Sequence, residues 1–216
     1  MEENRRKVSS RKVPFFQNFA KKLVRLGLTP NQVSILSAVF AATGGVALAQ
    51  VLNSEGFNFY FFSILGLVGI QLRLICNLID GLMAVEGGLR TPNGELYNDL
   101  PDRFSDLFLL VGASFSIPFT WGTDLGWVTS ILAILTAYVR VLGACMQMGH
   151  DFSGPAAKQH RMFILNLVII VGMIEHSVIG HVQYSYVVGL SVIALGSLAT
   201  IFARLVRLNT KLTKLK

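Results

Sequence analysis

Charge is what this sequence has little of. Only 14% of its 216 residues are Asp, Glu, Lys or Arg, and 52% are hydrophobic. A typical soluble domain has roughly a quarter of its residues charged. That shortage, with several apolar runs of helix-spanning length, excludes an ordinary soluble globule and a disordered chain. Cysteine is scarce too. The only two, Cys76 and Cys145, lie inside apolar stretches, which argues against a disulfide scaffold and a cysteine-built zinc site. No internal repeat or low-complexity tract stands out. The histidines His150, His160, His176 and His181 do not converge at metal-ligand spacing. The N-terminus is too polar for a cleavable signal peptide.

The charge that is present is unevenly placed. A net charge of +7 raises the possibility of nucleic acid, yet no recognisable binding module accompanies it. Eight of the nineteen Lys and Arg residues precede the first apolar run and five follow the last. The linkers near 53–57, 120–126 and 176–184 contain none. This is the positive-inside pattern. It predicts an all-α integral membrane protein with six transmembrane helices, near 32–52, 58–79, 103–119, 126–148, 161–179 and 184–206. An even count puts both termini on the cytoplasmic side, with the linkers at 80–102 and 149–160. The third span is short for a bilayer, so its start is expected to continue back into the preceding loop as helix.

Residues 14–27, PFFQNFAKKLVRLG, place Phe15, Phe19, Leu23 and Leu26 at helical spacing, with Lys21, Lys22 and Arg25 largely on another face. This reads as an interfacial amphipathic helix on anionic lipid. Thr29-Pro30 offers an N-cap and a proline at N1 for the first span. Residues 1–30 are then a basic tail with its amphipathic helix, 31–208 the membrane domain, and 209–216 a basic tail. Gly44-Gly45, Gly189 and Gly196 suit close helix packing, and the aromatic run at 57–62 an interfacial belt.

The acidic residues gather in one place. Asp80, Glu86, Glu95, Asp99, Asp102 and Asp106 are six of the twelve and fall within 27 positions. Carboxylates near a membrane core are costly, so they face a cavity, pair with cations or bind metal. Asn77 and Asp80 are three apart, on one helix face. Asn98, Asp102 and Asp106 form a stripe at spacing four. Pro101 is compatible with that helix if it starts near Asn98, where its missing N–H is harmless. Gly81, Gly87, Gly88 and Gly94 lie between the two faces. Two readings fit: oxygen ligands for a hard cation such as Mg²⁺, Mn²⁺ or Ca²⁺, or buried ion pairs with Arg73, Arg103 and Arg140. Arg73, one turn before Asn77, suits a counter-ion better than a ligand. Arg140, inside the fourth span, with Lys158 and Arg161, three apart at the start of the fifth, form a second constellation suited to phosphate. A counter-ion role for Arg140, or a positive-inside flank for the other two, is the alternative.

Residues 77–106, NLIDGLMAVEGGLRTPNGELYNDLPDRFSD, resemble the signature of the CDP-alcohol phosphotransferases, D-x2-D-G-x2-A-R-x8-G-x3-D-x3-D. Every interval fits, and Asp80, Gly81, Ala84, Gly94 and Asp102 match. Asn77 and Asn98 stand where the pattern has Asp, and Val85 where it has Arg. Asp106 adds a carboxylate one turn on. Some bacterial members carry Asn at both places followed by an additional Asp, which makes the chain similar to a branch of the family. Leu28-Thr29-Pro30-Asn31-Gln32-Val33-Ser34 also resembles the family's lead into its first span.

The resemblance implies a homodimeric membrane enzyme in phospholipid biosynthesis. Such an enzyme transfers a phosphatidyl or other phospho-alcohol group from a CDP-alcohol, CDP-diacylglycerol being the expected donor, to an acceptor alcohol, with Mg²⁺ or Mn²⁺ and release of CMP. It implies a metal site at Asn77, Asp80, Asn98, Asp102 and Asp106, and Asp102 as catalytic base. It further implies nucleotide binding by Asp80, Gly81, Ala84 and Gly94, and acceptor-phosphate binding by Arg140, Lys158 and Arg161. The departures at Asn77, Asn98 and Val85 leave a second possibility, a catalytically silent member that binds nucleotide, lipid or a partner subunit. A small transporter with an acidic ion path is a third, without the paired broken helices or repeat expected of one.

Overall fold

The computed structural model describes residues 13–85, 87–89 and 91–214. Glu86 of the acidic cluster, Arg90 and most of the N-terminal basic tail lie outside the described residues. The described residues form α-helices joined by turns, with no strand among them. Its elements are α1 (Pro14–Arg25), α2 (Pro30–Gln50), α3 (Gly56–Val85), α4 (Gly94–Ser114), α5 (Gly122–Cys145), α6 (Lys158–Ile179) and α7 (Ser185–Thr213). All of α2, α3, α5, α6 and α7 are long and apolar enough to cross a membrane. The exception, α4, has 21 residues and carries the acidic stripe, and it packs between α2 and α5. Short turns join α2–α3, α4–α5 and α6–α7 at one end of the bundle. The longer connections α3–α4 and α5–α6 lie at the other end, beside α1.

Local chemistry accounts for the boundaries. Thr29 caps α2 by accepting from the Gln32 N–H (3.3 Å), while the Gln32 side chain accepts from the Thr29 N–H (2.9 Å). This reciprocal box satisfies two donors that a helix start leaves unpaired, with Pro30 at the first helical position. The expected backward extension of the third span is present, since α4 begins at Gly94. Pro101 therefore lies inside the helix and not in its first turn. It removes one backbone N–H from the ladder, a loss the rest of a packed helix absorbs. Likewise α3 runs on to Val85, so Gly81 and Ala84 belong to its last turns and not to a loop. Its 30 residues reach about 45 Å at 1.5 Å each, well beyond a hydrocarbon core of about 30 Å. The end of α3 that bears Asp80 can therefore stand at the membrane surface. The last helix, α7, continues past position 208 to Thr213.

The bundle is held by close backbone approach and by an apolar core. A Cβ at Gly45 would lie 2.2 Å from the Phe108 carbonyl oxygen, and one at Gly112 would lie 2.2 Å from that of Gly45. Only hydrogen fits at this α2–α4 crossing, and small residues are how membrane helices gain dispersion contacts where lipid supplies no hydrophobic drive. Leu48, Ile70, Leu109, Leu110, Met162 and Ile193 fill the core. In the aromatic run, Phe57 is exposed while Phe59 is buried and stacks on His176 at 3.8 Å between centroids. The amphipathic α1 has two apolar strips. Phe16, Ala20, Leu23 and Val24 pack with Ile79, Leu82 and Met83, whereas Phe15, Phe19 and Leu26 remain exposed. Leu23 thus faces the bundle, and the helix is docked on α3 as well as amphipathic.

Candidate active site

The α1 end of the bundle gathers most of the charge that the membrane-embedded length avoids. Asp80 is buried near the end of α3 and accepts from Ser34 Oγ, on the first turn of α2, at 2.5 Å. The N–H of Gly81 also reaches its carboxylate. Asp102, buried on α4, is close enough to Asp80 for the two carboxylates to act on each other electrostatically. They therefore share one environment. Asn77, one turn before Asp80, is half-buried, and the buried end of its amide has no hydrogen-bond partner. Asn98 is exposed on α4 one turn before Asp102. Gly81, Ala84 and Gly94 are half-buried around the α3–α4 connection.

The two aspartates of α4 differ in what they touch. Asp102 Oδ2 accepts from the Lys158 ammonium at the start of α6. Asp102 Oδ1 is buried without a hydrogen-bond partner, and Arg73 Nη2 is 3.6 Å away. Asp106 has both oxygens engaged. Arg73 Nη2 donates to one at 2.7 Å and Arg161 Nη2 to the other at 2.5 Å. Arg73, Arg161 and Asp106 are exposed by 0%, 2% and 1% at their side chains, so this is a triad fully removed from solvent. Arg161 is further fixed by the Ala156 carbonyl at 2.7 Å and Thr136 Oγ1 at 3.2 Å.

Asp99, one turn from Arg103, accepts from Arg140 with both oxygens, at 2.8 and 2.7 Å, and from Arg103 at 3.2 Å. The Arg140 guanidinium also lies over the Phe152 ring, 5.3 Å from its centroid. Arg140 lines a basic depression with Arg204, Arg207 and Lys211 of α7. Arg204 pins the α5–α6 connection by donating to the Ser153 carbonyl at 3.0 Å and to the Thr136 carbonyl at 2.5 Å. In that connection burial opposes ionisation of Asp151. The Ser153 hydroxyl and N–H and Arg207 outweigh it and hold the carboxyl below its ordinary range.

The ion-pair reading of the acidic cluster is thus met at two of its residues. Asp99 and Asp106 are ion-paired, to Arg140 and Arg103 and to Arg73 and Arg161. Asp80 and Asp102 act on each other electrostatically, and Asn77 and Asp102 each keep a buried polar atom without a hydrogen-bond partner. No three His, Cys, Asp or Glu side chains among the described residues gather at one point. The donor set is two carboxylates and an amide. Turned oxygen-inward, the unpartnered amide end of Asn77 would be a neutral ligand, and the carboxylates of Asp80 and Asp102 would be charged ones. This set fits one hard divalent cation whose remaining positions are filled by substrate phosphates. Ser34, Thr136 and Arg204 are site contacts that spacing along the chain did not indicate. Ser34 falls within the segment at 28–34 that resembles the family's lead into its first span, and that was its one available signal.

The geometry can be set beside known proteins. Phosphatidylinositol phosphate synthase of Mycobacteroides abscessus is 25% identical over 195 residues, covering 88% of this chain and 82% of that one. The synthase of the same name from Streptomyces avermitilis is 26% identical over 195 residues, 87% of this chain and 75% of that one. No protein-family model matches the sequence. Among solved structures, Mycobacterium tuberculosis phosphatidylinositol phosphate synthase with CDP-DAG bound superposes with a TM-score of 0.73 at 21% identity, over 91% of this chain and 94% of that one. The chain has the CDP-alcohol phosphotransferase fold. The same M. tuberculosis synthase in complex with manganese and citrate gives a TM-score of 0.73 at 21% identity, over 90% of this chain and 89% of that one. By sequence and by fold, then, the chain is similar to phosphatidylinositol phosphate synthases.

Proposed function

We propose that this chain is an integral membrane CDP-alcohol phosphotransferase of phospholipid biosynthesis. It transfers a phosphatidyl or similar group from a CDP-alcohol to an acceptor hydroxyl and releases CMP. What supports this reading is that Asp80 of α3 and Asp102 of α4, at positions whose intervals match the signature, are both buried and act on each other electrostatically. CDP-diacylglycerol is the proposed donor, as CDP-DAG is bound in the M. tuberculosis synthase. A phosphorylated alcohol, inositol phosphate first, is the proposed acceptor, in keeping with the relatives' names and with the basic depression beside Arg140. Residues 31–208 carry the reaction. Both termini face the cytoplasm, where the Lys and Arg residues concentrate, and two copies associate as a homodimer.

Mg²⁺ or Mn²⁺, held by Asn77, Asp80 and Asp102, with Asn98 within one turn, supplies charge neutralisation of the diphosphate, polarisation at phosphorus and stabilisation of departing CMP. The remaining work belongs to the chain. Ser34 fixes the Asp80 carboxylate so that its free lone pairs face the site. Asp102 Oδ1, with no hydrogen to accept from the protein, is placed to take the proton of the acceptor hydroxyl as it attacks phosphorus. Gly81, Ala84 and Gly94 present little side chain where the cytidine and ribose approach the backbone. Arg140 grips the acceptor phosphate, with Lys158 near the reacting end. Arg161, whose two terminal nitrogens are engaged by Asp106, Thr136 and Ala156, positions that end of α6. Asp106 is assigned to holding Arg73 and Arg161 and is not needed as a ligand.

The test is to incubate the purified protein with CDP-diacylglycerol, Mn²⁺ and inositol phosphate or other alcohols, and to detect CMP and the lipid formed. Metal-dependent formation of both supports the reading. A second reading is favoured by Asn77, Asn98 and Val85, which leave two fewer negative charges than the family pattern: a silent member that binds the nucleotide-lipid without turning it over. Binding of CDP-diacylglycerol with no CMP from any acceptor, and CMP appearing once Asp is restored at 77 and 98, would select it.

A further inference from the structure

The contact that the proposed reaction does not require is the one between Lys158 and Asp102. A base or a metal ligand is expected to be open, yet Asp102 Oδ2 accepts from an ammonium. The same ammonium also acts electrostatically on Asp80 and on Asp106. Asp106 does not need it for neutralisation. Asp106 already has two guanidinium partners, and Arg73 reaches to 3.6 Å from Asp102. Nor does its helix favour it there. Lys158 is the first residue of α6, where the helix macrodipole presents partial positive charge and disfavours a cation. Asp102 therefore holds it. The side chain is 23% exposed, and its four-carbon stem allows the head to swing outward.

We propose that Lys158 is a tethered monovalent cation that competes with the divalent ion for the Asp80–Asp102 oxygens, so that the ion binds weakly by itself and loads together with the diphosphate of the donor. This rests on the reading that Asn77, Asp80 and Asp102 hold the ion. The charge count supports it. Formally, Arg73, Lys158 and Arg161 balance Asp80, Asp102 and Asp106. A divalent ion arriving alone leaves two uncompensated positive charges in a poorly solvated place. One arriving with a dianionic diphosphate leaves none. A neutral residue at 158 makes the site acidic by one charge and removes the repulsion. Lys158 is thus a positioning residue for the order of loading, acting through the charge of the site.

The experiment is a Mn²⁺ titration of the purified full chain in detergent, read by the free-ion paramagnetic resonance signal, with no donor or acceptor present. Wild type, Lys158→Met, Lys158→Arg and Asp102→Ala are compared. Lys158→Met is expected to bind Mn²⁺ on the order of tenfold more tightly than wild type, because a like charge at contact distance is removed. Lys158→Arg, which keeps the charge, should remain within about twofold of wild type, an effect no larger than about 0.4 kcal/mol. Asp102→Ala should bind weakly or not at all. Wild-type binding that is unchanged or weakened in Lys158→Met would overturn the competition while leaving the metal site standing. Absence of Mn²⁺ binding in both wild type and Lys158→Met, or binding that survives in Asp102→Ala, would overturn the metal site and the competition together.

Discussion

Asp102 and Asp106 stand one turn apart on the same helix, both buried, and they do opposite things. Asp106 spends every strong acceptor direction on Arg73 and Arg161, which are themselves almost wholly buried. Asp102 keeps one buried oxygen without a partner. The first arrangement is what a folded membrane bundle requires of a charge. The second leaves an acceptor exposed to whatever ligand enters, at a cost to stability, and buried unsatisfied groups of this kind concentrate where binding or chemistry occurs. In the proposed reaction the pair separates the structural use of a carboxylate from the chemical use within about 5.4 Å of helix pitch. A motif that counts acids cannot make that separation.

The largest effect should come at Asp102. Asp102→Asn removes the proton acceptor and is expected to lower the rate of CMP release by about 10²–10⁴-fold. The elution profile in detergent should remain that of wild type. The complementary change, Asp106→Asn, is expected to act on folding. It strands two buried guanidinium groups, and breaking a buried pair in this way costs about 3–5 kcal/mol, readable as a lowered unfolding midpoint. If the two variants exchange these phenotypes, the division of labour is reversed.

A smaller loss is expected at the opposite kind of contact. Gly112→Ala drives a methyl group into the Gly45 carbonyl, which backbone cannot yield cheaply, and overpacking of this sort costs about 1–3 kcal/mol. Its activity per folded molecule should be near wild type, because the crossing lies away from Asp80 and Asp102. The smallest effect is expected in the α5–α6 connection. The Asp151–Arg207 pair is partly exposed, so Asp151→Ala should cost less than about 1 kcal/mol. Its sign with pH is fixed by the depressed carboxyl of Asp151. The contribution is present above the ordinary carboxylate range and fades as pH falls through the lower folded value. Unfolding midpoints of wild type and variant should therefore converge in acid.

Much of this arrangement was legible before any coordinates. Apolar run lengths and the Lys/Arg-free turns placed the helices, Thr29-Pro30 placed the start of α2, and the spacing of four put Asp102 and Asp106 on one buried face of α4. The shortness of the third span correctly signalled a helix reaching back to Gly94. Arg73, Arg103 and Arg140 were legible as counter-ions to the acidic cluster, but not which carboxylate each would take. Spacing along one helix fixes which side chains share a face, but Arg73–Asp106, Arg161–Asp106 and Lys158–Asp102 join residues 33, 55 and 56 positions apart. Those pairings depend on the rotation and depth at which helices pack. Here glycines set both, since the contact of Gly45 with Gly112 fixes how closely α4 approaches α2. The second apolar strip of α1 was missed for a related reason. Phe16, Ala20 and Val24 become an interface only because α3 extends beyond the membrane to meet them.

The most direct measurement is CMP release from CDP-diacylglycerol by purified wild type, Asp80→Ala and Asp102→Ala, each with Mn²⁺ and with chelator. The account predicts release by wild type that disappears with chelator and is abolished in both variants. Metal-dependent release that persists in the two variants would contradict it.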